Sequence, residues 1–347
     1  MTIRIGFVGA GWWSATVHAP AVAASPDAEV AGIMDPDRDR ADTFGRRFGC
    51  PVHPDLDALV ADGSIDGVVV ATPHATHADL SLSAVDRGVG VLVEKPMALR
   101  AADAIILRDL AAQRRVPIVV SHPYLFHPYA RLVRSLLSEG RIGKVVSATG
   151  AFDSAVAHLI RGDDASAPPR DHQGFVPLRS TYANPALSGG GQGQTQLGHL
   201  VSLLVAELDQ PLTRVSANMY WEQPPMDLAV GANASTPAGT TIVLSSAGTI
   251  RDWDDRTAWL RYTGTDGWIL HDALHGRVTA SAGVLAGIEL DTSMRAYPSD
   301  APVLALIDLL RGERLEGHLA NAANGVETVA FVEACYRSAL ELNDLGV

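Results

Sequence analysis

The sequence predicts an α/β plus α+β protein: a doubly wound parallel sheet first, then a mostly antiparallel sheet with helices. Three observations lead there. Short apolar runs alternate with helical patterns through residues 1–121. Two of those runs, Val68-Val69-Val70-Ala71 and Val89-Gly90-Val91-Leu92-Val93, are apolar without alternation, as in strands covered on both faces. Beyond residue 122, several strand-like runs follow one another with no helix between them.

Taken in order, strands are expected at 3–8, 28–34, 67–71, 90–94 and 117–121, with helices near 12–24, 37–47, 76–87 and 101–115. The pattern then changes. A helix near 128–139 and a strand from Lys144 to Phe152 precede an irregular stretch, 155–190, rich in Asp, Arg, Pro and Gly. So long a connection is usually functional or mobile. A helix at 191–208 leads into strands near 213–221, 239–247, 258–263 and 267–271, and helices at 301–311 and 321–343 close the chain. At 347 residues two domains are the expectation, divided as 1–121 and 122–347. No internal repeat is present.

Composition excludes several classes. An apolar fraction of 47% with 19% charged residues suits a globular chain rather than a disordered one. A net charge of −12, with no basic stripe, disfavours nucleic acid and membrane surfaces as partners. The two cysteines, Cys50 and Cys335, lie far apart and have no metal-ligand partner at short spacing, so a reducing compartment is expected and no metal site. The opening run Ile3–Val8 is too short for a secretory signal, and no stretch approaches the roughly 18 apolar residues of a spanning helix. A soluble, cytoplasmic protein is expected.

Gly9-Ala10-Gly11-Trp12-Trp13-Ser14 follows the first strand and opens a helix. Gly9 suits the tight turn, and Gly11 lets a pyrophosphate approach the backbone at the helix N-terminus; Ser14 takes the third glycine's place. Asp35 ends the second strand, where a carboxylate accepts from the adenosine ribose and repels a 2′-phosphate, although a helix N-cap role is the alternative. The nearby guanidinium of Arg38 suits a 2′-phosphate, so NAD is expected over NADP without excluding it. Trp12 and Trp13 either line the nicotinamide or sugar pocket or pack beneath the first helix.

Glu94-Lys95-Pro96 directly follows a strand, at the end where open α/β sheets bind ligands. A lysine there can hydrogen-bond a substrate hydroxyl during hydride removal. In Gly189-Gly190-Gly191-Gln192-Gly193-Gln194-Thr195-Gln196-Leu197-Gly198-His199, a helical repeat puts Thr195 and His199 on one face. A positioned histidine taking a hydroxyl proton is worth roughly 10²–10⁴ in rate. The glycines suggest close backbone approach.

These motifs, with His18, Ala71-Thr72-Pro73-His74-Ala75-Thr76-His77 and Ser138–Gly143, resemble the Gfo/Idh/MocA oxidoreductases, the glucose–fructose oxidoreductase and inositol dehydrogenase group. The resemblance spans nearly the whole chain. It implies a Rossmann domain and a C-terminal domain with an open mixed sheet that supports homodimers or homotetramers. It implies that Lys95 polarises a sugar or cyclitol hydroxyl while His199 moves its proton. Thr72, Pro73, His74, His77 and Glu94 would then lie along the cofactor, beside a cis Lys95–Pro96 bond. Many relatives carry aspartate where this chain has Thr195, which can only hydrogen-bond and is assigned to orienting substrate.

Tyr124, Phe126 and Tyr182 are candidate walls against a sugar ring. Arg161, Asp163, Asp164, Arg170 and Arg179 suit hydroxyl binding, but a solvated surface or subunit contact is the favoured reading. Two other functions remain open: a glycosidase that oxidises a ring carbon transiently, and a non-catalytic cofactor-sensing regulator.

Overall fold

The computed structural model describes residues 2–61, 64–163, 175–251, 253–291, 293–313 and 319–344. Asp164 and Arg170 lie outside the described residues. The chain divides into two compact units. One comprises Met1–His122, Asp164–Thr181 and Ser299–Val326; the other comprises Pro123–Asp163, Tyr182–Pro298 and Glu327–Val347. A single cut at residue 121 therefore does not describe the chain, because its later part returns to the first unit.

In the first unit six parallel strands alternate with helices: β1 (Ile3–Val8), α1 (Ala19–Ala24), β2 (Ala28–Met34), α2 (Arg38–Phe48), β3 (Val52–His53), α3 (Leu56–Val60), β4 (Gly67–Val70), α4 (His77–Asp86), β5 (Gly90–Glu94), α5 (Ala101–Arg114) and β6 (Ile118–Ser121). Their order in the sheet is β3-β2-β1-β4-β5-β6, the doubly wound arrangement whose switch point lies beside β1. β4 and β6 are buried along their whole length, and β5 is buried up to Glu94, which explains their unbroken apolar runs. β3 and α3 escape sequence reading because two and five residues carry no legible period.

The second unit carries α6 (Pro128–Ser138), β7 (Val145–Asp153), α7 (Ala157–Arg161), a short α8 (Arg179–Tyr182) that begins in the first unit, α9 (Pro185–Ser188) and α10 (Gly198–Leu208). β8 (Thr213–Gln223), β9 (Met226–Ser235), β10 (Thr241–Ala247), β11 (Thr257–Gly264), β12 (Trp268–Asp272) and β13 (Arg277–Ala280) follow. The seven strands form one sheet in the order β13-β12-β11-β7-β10-β9-β8. Its central pair, β7 and β10, is parallel and every other pair is antiparallel. α10 packs on β7 and β11, with Glu207 buried in between and accepting from the Tyr262 hydroxyl at 2.5 Å and from His271.

β9 was not expected. Its sequence, Met-Asp-Leu-Ala-Val-Gly-Ala-Asn-Ala-Ser, holds residues depleted in strands, and pairing with β8 and β10 makes it a strand. α11 (Ala301–Leu310) belongs to the first unit, where it packs against β4, β5 and β6. A Cβ at Gly67 or Gly90 would lie 2.7 or 2.8 Å from Leu310, so those two glycines let the helix settle on the strand ends. α12 (Ala322–Asp344) ends the described chain. Among the described residues no helix is long and apolar enough to cross a membrane.

Candidate active site

The first unit's site begins at the turn after β1. Gly9 has φ +98°, and a Cβ there would lie 2.7 Å from the Ala71 carbonyl oxygen. Its N–H donates to Met34 O at 2.9 Å, while Ala71 N–H donates to Val8 O at 3.0 Å. The turn is thus pressed between the ends of β2 and β4, and only glycine meets both demands. At Gly11 the nearest atom to a Cβ stands 3.6 Å away, which leaves that backbone approachable.

Asp35 joins this turn to β2: Oδ2 accepts from Ala10 N–H and Oδ1 from Asp37 N–H, each at 2.8 Å. The carboxylate has about four acceptor positions, so two bonds leave capacity for a ribose. The N-cap of α2 is Asp37, which accepts from Arg40 N–H. The guanidinium beside Asp35 is also Arg40's, 3.8 Å away and 2.9 Å from Asp37. Arg38 instead pairs with Asp42 at 3.0 Å on the exposed face, so of the two guanidinium groups it is that of Arg40 that stands beside Asp35. Helix i,i+3 geometry from Asp37 was the signal for it.

A π-helical turn, Ser14–His18, precedes α1. Trp12 and Trp13 are half-buried, their rings 5.1 Å apart edge to face, and Trp13 stands edge-on to His18 at 6.5 Å. His18 Nε2 lies 2.8 Å from Glu94 Oε1, which ties the glycine-turn helix to the end of β5. Burial would raise Glu94, but hydrogen bonds from His18 and Ser121 and the charges of His18 and Lys95 hold it below the usual carboxylate range. Glu94 therefore anchors this corner.

Lys95 follows, and the Lys95–Pro96 peptide is cis as expected. Burial pulls the Lys95 amine below its ordinary value, and the Glu94 charge opposes that shift. His122, just past β6, is driven down to about 3 by burial and then by the Lys95 charge, so it stays neutral. It went unnoticed in the sequence although it obeys the same strand-end rule as Lys95.

The loop after β4 is held from within. Thr76 Oγ1 lies 2.7 Å from Thr72 Oγ1 and 2.8 Å from Pro73 O. Thr72 and Pro73 are half-buried and His74 is buried. His77 is fully buried rather than facing a cleft, with Nδ1 2.7 Å from Pro96 O and Nε2 2.9 Å from Thr72 O. It lies between the β4 loop and the Lys-Pro loop. A neutral ring donates from only one nitrogen. Burial lowers its pKa, against the pull of the two carbonyls.

In the second unit His199 is buried within a cage of rings. It stacks on Phe152 (5.3 Å, 16°) and meets Tyr124 (5.9 Å) and Tyr297 (6.1 Å) by their edges. Burial pushes the Tyr124 hydroxyl up to about 12, so it remains a neutral donor. Phe152 and Tyr297 were not foreseen; they come from β7 and from a segment lacking regular structure. Phe126 is half-buried in the turn after β6, and Tyr182 half-buried at the end of α8.

Thr195 is buried and donates its hydroxyl hydrogen to Gly191 O at 2.8 Å, so that hydrogen is not available to orient a substrate as expected. Arg161 pairs with Glu222 at 2.9 Å near the surface, in keeping with the favoured surface reading. Lys95 belongs to the first unit and His199 to the second.

The model of the Gfo/Idh/MocA group, described as an oxidoreductase family with an NAD-binding Rossmann fold, matches residues 3–122. Inositol 2-dehydrogenase of Rhizobium meliloti is 33% identical over 172 residues, which are 50% of this chain and 48% of that protein. Glucose-6-phosphate 3-dehydrogenase of Bacillus subtilis is 32% identical over 144 residues, 42% of this chain and 40% of that one. The matched stretch thus spans half or less of these relatives' length. In fold the likeness extends along the whole chain: the WlbA dehydrogenase of Bordetella pertussis, solved with NADH and UDP-GlcNAcA, superposes with a TM-score of 0.74. That match covers 100% of this chain and 98% of the other at 21% identity. Residues 3–122 thus match the NAD-binding Rossmann domain of the Gfo/Idh/MocA oxidoreductases.

Proposed function

We propose that this protein is an NAD-dependent dehydrogenase that moves hydride between the dinucleotide and a CH–OH carbon of a sugar, sugar derivative or cyclitol. The observation that carries the reading is the corner at the ends of β1, β2 and β5. There an approachable Gly11 backbone, the Asp35 carboxylate and the half-buried Lys95 follow the strand ends of one sheet. These residues fit a dinucleotide: amides for a pyrophosphate, acceptor capacity for ribose hydroxyls and a strand-end lysine. When bound, NAD supplies the hydride acceptor. Asp35 makes NAD the preferred dinucleotide, and Arg40 offers NADP a weaker foothold.

Lys95 donates to the substrate oxygen and favours its alkoxide character. A pKa lowered by burial suits it to this, because the amine gives up part of its proton more readily than a solvated one. His199 takes the hydroxyl proton in oxidation and returns it in reduction. Tyr124 contributes a ring wall beside it. The relatives named above act on inositol and on glucose 6-phosphate, which supports a polyol or sugar substrate here.

The seven-stranded sheet leaves one face open, carrying Tyr220 (68% exposed) and Val243 (50%) together with Arg261 stacked over Trp268. Exposed aromatic and aliphatic side chains on an open sheet face support a homo-oligomer. A cytoplasmic location completes the reading, in keeping with two free, buried cysteines.

NAD and NADP are to be titrated separately against tryptophan emission, and polyols then screened at the reduced-nicotinamide band. The expected result is quenching by NAD, because Trp12 and Trp13 flank the turn, and free NADH accumulating with at least one polyol. Accumulation also separates this reading from a redox glycosidase, which recycles its cofactor. No response to either dinucleotide overturns the proposal. His199→Ala is expected to abolish turnover while leaving NAD affinity within about twofold; lost affinity with residual turnover removes His199 from the chemistry.

A further inference from the structure

Asp227, the second residue of β9, is a fully buried carboxyl outside all the roles given above. It stands against the glycine run that leads to His199. Its Oδ2 accepts from Gly193 N–H at 2.8 Å, and its Oδ1 accepts from Gly191 N–H at 3.2 Å and from the Tyr336 hydroxyl. Tyr336, on α12, accepts in turn from Gly191 N–H at 3.1 Å and Gln194 N–H at 3.0 Å. Two residues remote in sequence thus take three N–H groups at the head of the helical stretch that runs from Gly193 to Leu208. The first helical N–H groups have no partner within their own helix. Here no side chain of the segment itself caps them: Gln192 makes no capping bond.

The glycines fit this arrangement closely. A Cβ at Gly190 would lie 2.3 Å from the Tyr336 hydroxyl oxygen, and one at Gly191 would lie 1.9 Å from Asp227 O. The close backbone approach that the run permits is therefore made by Asp227 and Tyr336. Past this anchor, Thr195 N–H donates to Gly191 O at 3.0 Å and the helix proceeds to His199.

We propose that Asp227 and Tyr336 form a positioning dyad: by anchoring the π-helical turn Gly193–Leu197 they set the direction in which His199 presents its ring. The proposal rests on His199 being the proton-transfer residue.

The charge state matters. An ionised carboxylate is acceptor-only and suits three donors. Protonation removes the charge that strengthens all three bonds and adds a donor to a site already crowded with donors, so the anchor weakens. Burial pushes Asp227 up to about 6, with the Tyr336 hydrogen bond and the Gly191 and Gly193 amides opposing. The titratable groups facing it from α12 are Tyr336, raised well above its ordinary value, and Cys335, raised to about 12, both neutral near pH 6. α7, which packs on β9, carries His158 and Arg161; the latter is paired with Glu222 of β8. Asp227 is thus the group that titrates here, and the anchor loosens as pH falls through about 6.

The test uses the full chain with Asp227→Asn, Tyr336→Phe and His199→Ala. Amide hydrogen exchange across residues 189–199 needs no substrate. Exchange is expected to quicken about 10-fold or more at Gly191 and Gln194 in Tyr336→Phe, which removes the hydroxyl acceptor, and at Gly191 and Gly193 in Asp227→Asn, which leaves one acceptor oxygen in place of two. On a polyol that supports turnover, kcat is expected to fall about 10- to 100-fold, as for a small misplacement of a reacting group, with NAD affinity within twofold. Tyr336→Phe removes a bond that lowers Asp227, so the acid limb of kcat is expected to move to higher pH. In the Asp227→Asn background the same substitution is expected to leave the limb in place. A role confined to stability moves neither limb.

Unchanged exchange in both variants overturns the proposal. So do an unchanged kcat and acid limb alongside an inactive His199→Ala protein. If His199→Ala retains full turnover, the reading of His199 fails instead, and the exchange result still judges the anchoring. Should Asp227→Asn fail to fold, Tyr336→Phe, which lacks a single hydroxyl, decides.

Discussion

At the scale of single residues, hydrogen-bond capacity decides roles more often than residue type. Asp35 retains acceptor sites after serving Ala10 and Asp37, so it is still able to hold a ribose. His77 is fully buried with its ring nitrogens 2.7 and 2.9 Å from the Pro96 and Thr72 carbonyls, and when neutral it donates to one of them. Thr195 gives its hydrogen to its own helix. Gly9 is the residue whose freedom the turn most needs, with φ +98° and the Ala71 carbonyl at Cβ distance. Gly9→Ala is expected to weaken NAD binding about 5- to 150-fold, through turn displacement costing roughly 1–3 kcal/mol. Tryptophan quenching measures it, and an unchanged titration means that the turn tolerates a side chain and does not cradle phosphate.

Among the elements, α11 and β9 do the most that their sequences do not announce. α11 is apolar apart from Asp308 and lies on β4, β5 and β6, with Leu306 fully buried. Leu306→Ala is expected to cost about 2–5 kcal/mol, read as a lower urea midpoint with unchanged slope. A loss below about 1 kcal/mol contradicts the close packing of this helix on the strand ends. β9 brings Asp227 to the glycine run, so a strand of weak propensity carries the anchor for the helix bearing His199. Both candidate chemical helices, at Ser14–His18 and Gly193–Leu197, open with a π-helical turn, a departure from regular geometry often found at functional sites.

Over the whole molecule, two sheets of different construction serve two ends. The parallel sheet is covered by helices, and its strand ends converge on one corner. The mixed sheet keeps a face bearing Tyr220 and Val243 toward solvent. If the proposed homo-oligomer forms through this face, Tyr220→Arg combined with Val243→Glu is expected to give a monomer in sedimentation where the unaltered protein gives a larger species, with the melting temperature of each chain little changed. An assembly of unaltered mass assigns the interface to another surface.

Much of the first unit was legible in the sequence because its signals are local. A glycine turn, a strand-end aspartate and a strand-end lysine each declare themselves within a few residues of a periodic run. The whole parallel sheet apart from its two-residue edge strand follows from such runs. What tertiary structure decided is what depends on partners distant in the chain: that Arg40 rather than Arg38 faces Asp35, that residues 299–326 rejoin the first unit, and that Met226–Ser235 is a strand at all. Asp227, Gly191 and Tyr336 come from three separate stretches and meet only once the sheet and the last helix are in place. Hydrogen bonds and burial act between atoms near in space, and sequence order records that nearness only within a single element.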